Sequence, residues 1–156
     1  VSNQSVWVAG DALVSSAQLS PLATYEGRIV GHNIVNGPSK KPDYSVVPSA
    51  VYTIPALSSV GMTEADAEKA GIEFEVNSSD MSDWLSAKFY AETVAWSKVI
   101  VDKAARGILG AHIVGHHGEE LIHLFALAMR HNISADDLAD EIFAFPTFAA
   151  DIKSMV

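Results

Sequence analysis

The chain has 156 residues, 49% of them hydrophobic and 19% charged, which supplies one medium core or a small domain beside the edge of another, and excludes a disordered segment. A formal net charge of -9 disfavours nucleic acid, and only Lys40-Lys41 forms even a short basic run. Without cysteine there is no disulfide, thiolate metal site or redox thiol in this stretch, and no apolar run reaches the roughly 18 residues of a membrane span or follows a secretion-signal pattern, so a cytoplasmic setting is expected.

In chain order, Ser2 to Ala9 carries the β-branched and aromatic residues of a short buried strand, turned outward by Gly10-Asp11. Ser20 suits an N-cap and Pro21 the first helical position. Apolar residues then continue through Ile29, Val30 and Ile34 until Asn36-Gly37 stops the helix. A carboxylate at a strand end, here Asp11, is placed to accept hydrogen bonds from a polyol, and open N–H groups at a helix start suit a polar ring. This reads as the closing half of a cofactor site, so the chain is expected to be a fragment. Pro38 to Asp43 is a linker by composition, dividing residues 1–47 from residues 48–156.

The second part opens with a strand near Ala50 to Thr53, followed by a helix capped by Thr63 with Asp66 in the box position and ended by Gly71. Three strand candidates follow, Ile72 to Val76, Ser97 to Asp102 and Ile108 to Val114. The turn-like stretch Lys103 to Gly107 joins the last two as an antiparallel hairpin. Lys88 to Ala91 is a further candidate strand inside the poorly patterned stretch Met81 to Glu92. Helices are predicted over Glu119 to His131, over Ala135 to Ile142 with Ser134 and Asp137 as its box, and from Thr147 onward. This order gives an α+β fold: an antiparallel sheet of about four to five strands with helices on one face.

The helix from Glu119 leaves almost no polar face across Leu121, Ile122, Leu124, Phe125, Ala126, Leu127, Ala128 and Met129. One side can face its own sheet; the other is expected to meet a second subunit. The cluster His112, His116, His117, Glu119, Glu120 and His123 contains one Glu-x-x-His unit, whereas a di-metal bundle needs two plus further carboxylates, so no metal site is assigned. Gly110 to Gly118 does not read as a phosphate loop, because no Lys-Ser or Lys-Thr follows the glycine.

Several stretches together resemble the C-terminal part of the pyridine nucleotide-disulfide oxidoreductases, the flavoproteins that include glutathione reductase, dihydrolipoamide dehydrogenase and mercuric reductase. Trp7 to Asp11, with Leu19 to Ala23 and Glu26-Gly27-Arg28, is similar to that family's second flavin motif. Tyr52 to Pro55 with Ser59 to Glu64 resembles the opening of its dimerisation domain, and Ile108 to Gly115 with Glu119 to Ile122 resembles the central strand and interface helix. The resemblance implies the tail of an FAD-binding domain followed by a dimerisation domain, with FAD and NAD(P)H as cofactors of the parent. It implies Gly10, Asp11, Leu19, Ser20, Pro21 and Ala23 as flavin contacts. It also implies a homodimer surface containing Leu121, Leu124, Phe125, Leu127, Ala128 and Pro146.

One departure bears on chemistry. The family places a His before Pro-Thr and a Glu a few residues later, as an acid/base pair reaching across the dimer. In Phe143 to Asp151 of this chain, Phe145 stands at the His position and Ala150 at the Glu position, with Asp151 one place too far along. Phenylalanine exchanges no proton, and such help is worth roughly a hundred- to ten-thousand-fold in rate. Phe145 reads instead as an aromatic packing residue. Two parents fit: a disulfide reductase that takes its proton from elsewhere, and a flavoenzyme that passes electrons to a second nicotinamide nucleotide, a quinone or another acceptor, and the absent His favours the second. The fragment alone is expected to be inactive, and a pure assembly module is the alternative.

Overall fold

The computed structural model describes residues 3, 5–14, 17–115 and 117–156. The chain divides into two compact units, Val1–Ser45 and Val46–Val156.

The front unit is built on helix α1, Ser20–Asn36. Leu19 rather than Ser20 holds the N-cap position, with Pro21 in the first turn, and Gly37 ends the helix at φ 80°, a conformation that glycine adopts without a Cβ penalty. Ser2 and Gln4 of the expected first strand lie outside the described residues. Among the described ones no strand forms, and Val6 and Trp7 are exposed. A strand needs a neighbour for its N–H and C=O groups, and no described strand lies alongside this stretch.

In the rear unit, β1 (Ser49–Val51), β2 (Ala56–Gly61), β3 (Phe74–Asp80), β4 (Trp96–Asp102) and β5 (Ile108–Gly115) form one antiparallel sheet in the order β1-β2-β5-β4-β3. Helix α2, Glu64–Lys69, carries the anticipated capping box of Thr63 and Asp66. The β4–β5 hairpin forms as expected, with a register shift at Ile100 and Val101. Strand β2 was not anticipated; the first expected strand ends at Val51, and the chain turns to pair with itself. Lys88 to Ala91 is not a strand. Leu85–Phe89 is helix α3, which Tyr90 closes by donating its N–H to the Ala87 and Lys88 carbonyls, so no ladder partner is available to that stretch.

Helix α4 (Gly118–His131) packs on β2 and β5, where the Ser58 hydroxyl donates to the Gly118 carbonyl at 2.8 Å. Val60, Val99, Val101, Ala111 and Ile113 from the sheet meet Leu121, Ile122 and Phe125 in one core. Helix α2 is tied to β4 by the Lys98–Glu64 ion pair. Helix α5, Ala135–Asp140, has its Ser134–Asp137 box and stops before Ile142, because Glu141 is extended. The terminal helix is a 3₁₀ segment, Phe148–Ser154, rather than an α-helix. Among the described residues no helix is long and apolar enough to cross a membrane.

Just past the end of β2, Met62 crosses β5 at Gly110. A Cβ there would overlap the Met62 carbonyl, so only glycine lets that carbonyl lie over β5.

Candidate functional site

Three places carry the residues singled out in the sequence. In the front unit, Gly10 opens a 3₁₀ turn over Gly10–Ala12 at φ +68°, and a Cβ on it would come within 3.1 Å of the Ala23 Cβ. The Gly10 N–H donates to Glu26 Oε2 at 2.6 Å, and Glu26 Oε1 accepts the Tyr44 hydroxyl at 2.9 Å. Burial first, then the Glu26 carboxylate, pushes the Tyr44 phenol above its ordinary pKa. Asp11, Ser20 and Pro21 are exposed, while Leu19 and Ala23 are half-buried and joined by the Ala23 N–H to Leu19 carbonyl bond of 2.9 Å. Helix α1 therefore starts without a side-chain cap, leaving N–H groups of its first turn available to an outside acceptor. Neither Glu26 nor Tyr44 carries a sequence signal for this role. The two are brought together by the fold from 18 positions apart, a separation with no local signal.

The second place is the segment after α5. Thr147 Oγ1 donates to the Ala144 carbonyl at 2.6 Å and accepts the Ala150 N–H at 3.2 Å, so Ala150 contributes only backbone. Asp151 is half-buried and accepts the hydroxyl of Ser86. Burial raises its carboxyl pKa, with the Ser86 bond opposing. Phe145 does not pack within its own unit: it is 74% exposed, while Phe143 and Phe148 on either side turn against the core. Ser86, Phe89, Tyr90, Pro146, Thr147 and Phe148 line a cleft of about 490 Å³. Ser86, Phe89 and Tyr90 carry no local sequence signal for this cleft, because they lie in the poorly patterned stretch that folds as α3.

Helix α4 is the third place. Leu121, Phe125 and Ala128 do not face outward; they fill their own unit's core, because these positions recur on the side towards β2 and β5. Leu124 is half-buried, Leu127 is 52% exposed, and Glu120, His123 and Arg130 are exposed, so α4 is not apolar all round. Pro146 is exposed.

Of the histidine cluster, His116 lies outside the described residues. The His112 Nε2 lies 3.0 Å from the Met62 carbonyl, and the His117 ring packs edge-on to Tyr90 and Phe148. Among the described residues no three His, Asp or Glu side chains gather as a metal site.

Residues 47–156 match the family model described as pyridine nucleotide-disulphide oxidoreductase, dimerisation domain. The chain is similar over its whole length to an uncharacterized 19.7 kDa protein in the mercuric resistance operon of Staphylococcus aureus, at 41% identity and covering 87% of that protein. It is also similar to the dihydrolipoyl dehydrogenase of Trypanosoma brucei brucei, at 34% identity over 95% of this chain and 31% of that one. Among solved structures, the HOCl-induced flavoprotein disulfide reductase RclA from Escherichia coli superposes with a TM-score of 0.86 at 27% identity, over 96% of this chain and 34% of that chain. The chain thus spans about a third of the longer proteins it resembles, and it belongs to the dimerisation-domain family of the pyridine nucleotide-disulfide oxidoreductases.

Proposed function

We propose that the chain is the self-associating end of a cytoplasmic, FAD-dependent, NAD(P)H-linked oxidoreductase that lacks the His–Glu acid/base pair. The observation that carries this reading is that the rear unit closes its own sheet and core yet leaves Leu127, Ile142 and Phe145 at 52%, 91% and 74% exposure. Apolar side chains this open, beside the half-buried Leu124 and the exposed Pro146, suit a surface covered by a second copy. Leu121, Phe125 and Ala128 support that surface from beneath.

At the position of the acid/base pair, Phe145 has no exchangeable proton, and Asp151 directs its carboxylate to Ser86. A parent built this way needs an electron route without a thiol base, towards a quinone, a second nicotinamide nucleotide or another acceptor. FAD would supply hydride acceptance from the nicotinamide. The uncapped first turn of α1 fits a polar flavin edge, and the exposed Asp11 fits a polyol hydroxyl, with Gly10 held in place by Glu26.

Sedimentation tests self-association. The chain should sediment as a dimer at micromolar concentration, and Leu127→Glu should give monomers of unchanged helical content. A monomeric unsubstituted chain would overturn the reading. For the parent, anaerobic NADPH and NADH titration should bleach the flavin without the long-wavelength band of a thiolate against oxidised flavin. A second reading, an assembly module with no activity of its own, is favoured by the 41% identical relative being a protein of only 19.7 kDa. Flavin retained by the purified chain through gel filtration would count against it.

A further inference from the structure

We propose that the cleft between helix α1 and the Lys40-Lys41 segment binds a small diphosphate, free or as the end of an organic molecule. Tyr25, Arg28, Ile29, Lys40 and Lys41 line about 300 Å³, at the lower edge of the roughly 300–1,000 Å³ of small-molecule sites.

Charge sets the ligand class. Arg28, Lys40 and Lys41 are the only Lys or Arg within residues 1–45, and all three line this one cleft, in a chain whose net charge is -9. No carboxylate is among the lining residues, and among the described residues none of the three cations is in an ion pair. Arg and Lys side chains donate hydrogen bonds and accept none. The Tyr25 hydroxyl accepts the Asp43 N–H at 2.9 Å, which leaves its own proton to donate, and the Asp43 Oδ1 accepts the Ser45 N–H at 2.9 Å. A cleft of donors calls for a ligand of acceptors. One phosphate ester carries about -1.5 to -2 charge near neutral pH, short of three cations, and a second phosphate closes the gap. The Arg28 fork matches phosphate oxygens two at a time, and charge-assisted bonds are about twice as strong as neutral ones.

The cleft is held in shape before any ligand arrives. Tyr25, Arg28 and Ile29 recur three and four residues apart, so they share one face of α1. The loop beside them is pinned by Asn33, which is 6% exposed. Its Nδ2 donates to the Lys40 carbonyl at 2.8 Å, and its Oδ1 accepts the N–H groups of Ser39 and Lys40 at 3.2 and 2.9 Å. The Tyr25–Asp43 bond fastens the loop again beyond Lys41. Fixed backbone under the cations lowers the ordering cost of binding. A nucleic acid strand is tracked by cations along its length, whereas three gathered at one small cleft fit a compact anion. The inference rests on this chain's own atoms and depends on neither flavin nor self-association, since Tyr25, Arg28 and Ile29 lie beyond the Gly10 to Ala23 stretch.

The probes are pyrophosphate, ADP, orthophosphate and the tricarboxylate citrate, followed by calorimetry and amide chemical-shift mapping on the whole chain. Pyrophosphate should bind saturably, at least tenfold tighter than orthophosphate or citrate, with shifts concentrated at residues 25–29 and 39–43. ADP binding more tightly than pyrophosphate identifies an organic diphosphate resting on Tyr25 and Ile29, and weaker binding identifies the free anion. Arg28→Gln and Lys41→Gln, both at exposed positions, should each weaken pyrophosphate at least tenfold with unchanged helical content, and Arg28→Lys should recover part of the loss. Lys103→Gln, an exposed cation of the rear unit, should leave affinity unchanged. Citrate binding as tightly as pyrophosphate, shifts lying elsewhere, an Arg28→Gln variant of unchanged affinity, or an equal loss in Lys103→Gln would each overturn the proposal.

Discussion

The two units are held together by different physics. The rear unit interlocks apolar side chains of a five-stranded sheet and of α4, with Val99, Val101, Ala111 and Phe125 fully buried. The front unit buries three residues of α1, and two of them are polar: Glu26, bonded to Gly10 and Tyr44, and Asn33, bonded to Ser39 and Lys40. Its apolar residues Ile34 and Val35 remain exposed. The difference teaches that the rear unit draws its stability from area removed from water, whereas the front unit is tied by a few directional bonds that hold its turn and helix start in register.

That contrast can be broken most forcefully in the rear unit. Gly110→Ala places a Cβ into the Met62 carbonyl, where backbone on both sides leaves no slack, and should cost about 3 kcal/mol by overpacking. A denaturant midpoint equal to that of the unsubstituted chain would refute the tight crossing. In the front unit, Glu26→Ala removes a buried carboxylate and strands the Gly10 N–H, with an expected cost of about 2 kcal/mol. Amide exchange should accelerate at residues 9–12 and stay unchanged in β4 and β5; acceleration throughout would mean that the units melt as one.

Acidity and alkalinity sharpen the comparison. Tyr44 has a raised pKa, so its contribution is intact below the ordinary 10.0 and is lost as pH rises through the raised value, which makes the front unit alkali-sensitive. In the rear unit the Thr63 hydroxyl and N–H hold Asp66 below its usual 3.8, and Ser134 does the same for Asp137. Their contribution is present above 3.8 and fades as pH falls further, and Asp137→Asn should remove part of that acid dependence from thermal melts followed by circular dichroism. The smallest effect is expected at Ser97, a fully buried residue whose hydroxyl has no partner among the described residues. Ser97→Ala should be neutral or stabilising by up to about 1 kcal/mol; a clear loss would reveal a bond to that hydroxyl.

What the sequence disclosed follows the range of each interaction. The two capping boxes span three residues each, so Thr63–Asp66 and Ser134–Asp137 were legible. Strand β2, Ala-Leu-Ser-Ser-Val-Gly, has small residues and little β-propensity of its own. It is a strand because β5 and β1 flank it. Of the candidate sites, Gly10 and the start of α1 were visible as local turn chemistry. The bonds that give them support are distant: Gly10 to Glu26 spans 16 positions, and Ser86 to Asp151 spans 65. The reading of α4 erred where composition hides direction, since Leu127 and Phe125 look alike in a sequence and point to opposite environments in the fold.

Strand β5 lies between two hairpins made earlier in the chain, β1–β2 on one side and β3–β4 on the other. During synthesis both hairpins therefore wait, each with an unfilled ladder, until residues 108–115 leave the ribosome and bridge them. Release of a shorter nascent chain, ending before β5, should yield two sticky half-sheets prone to pair with other chains, so the last strand to arrive acts as a checkpoint on assembly of the unit.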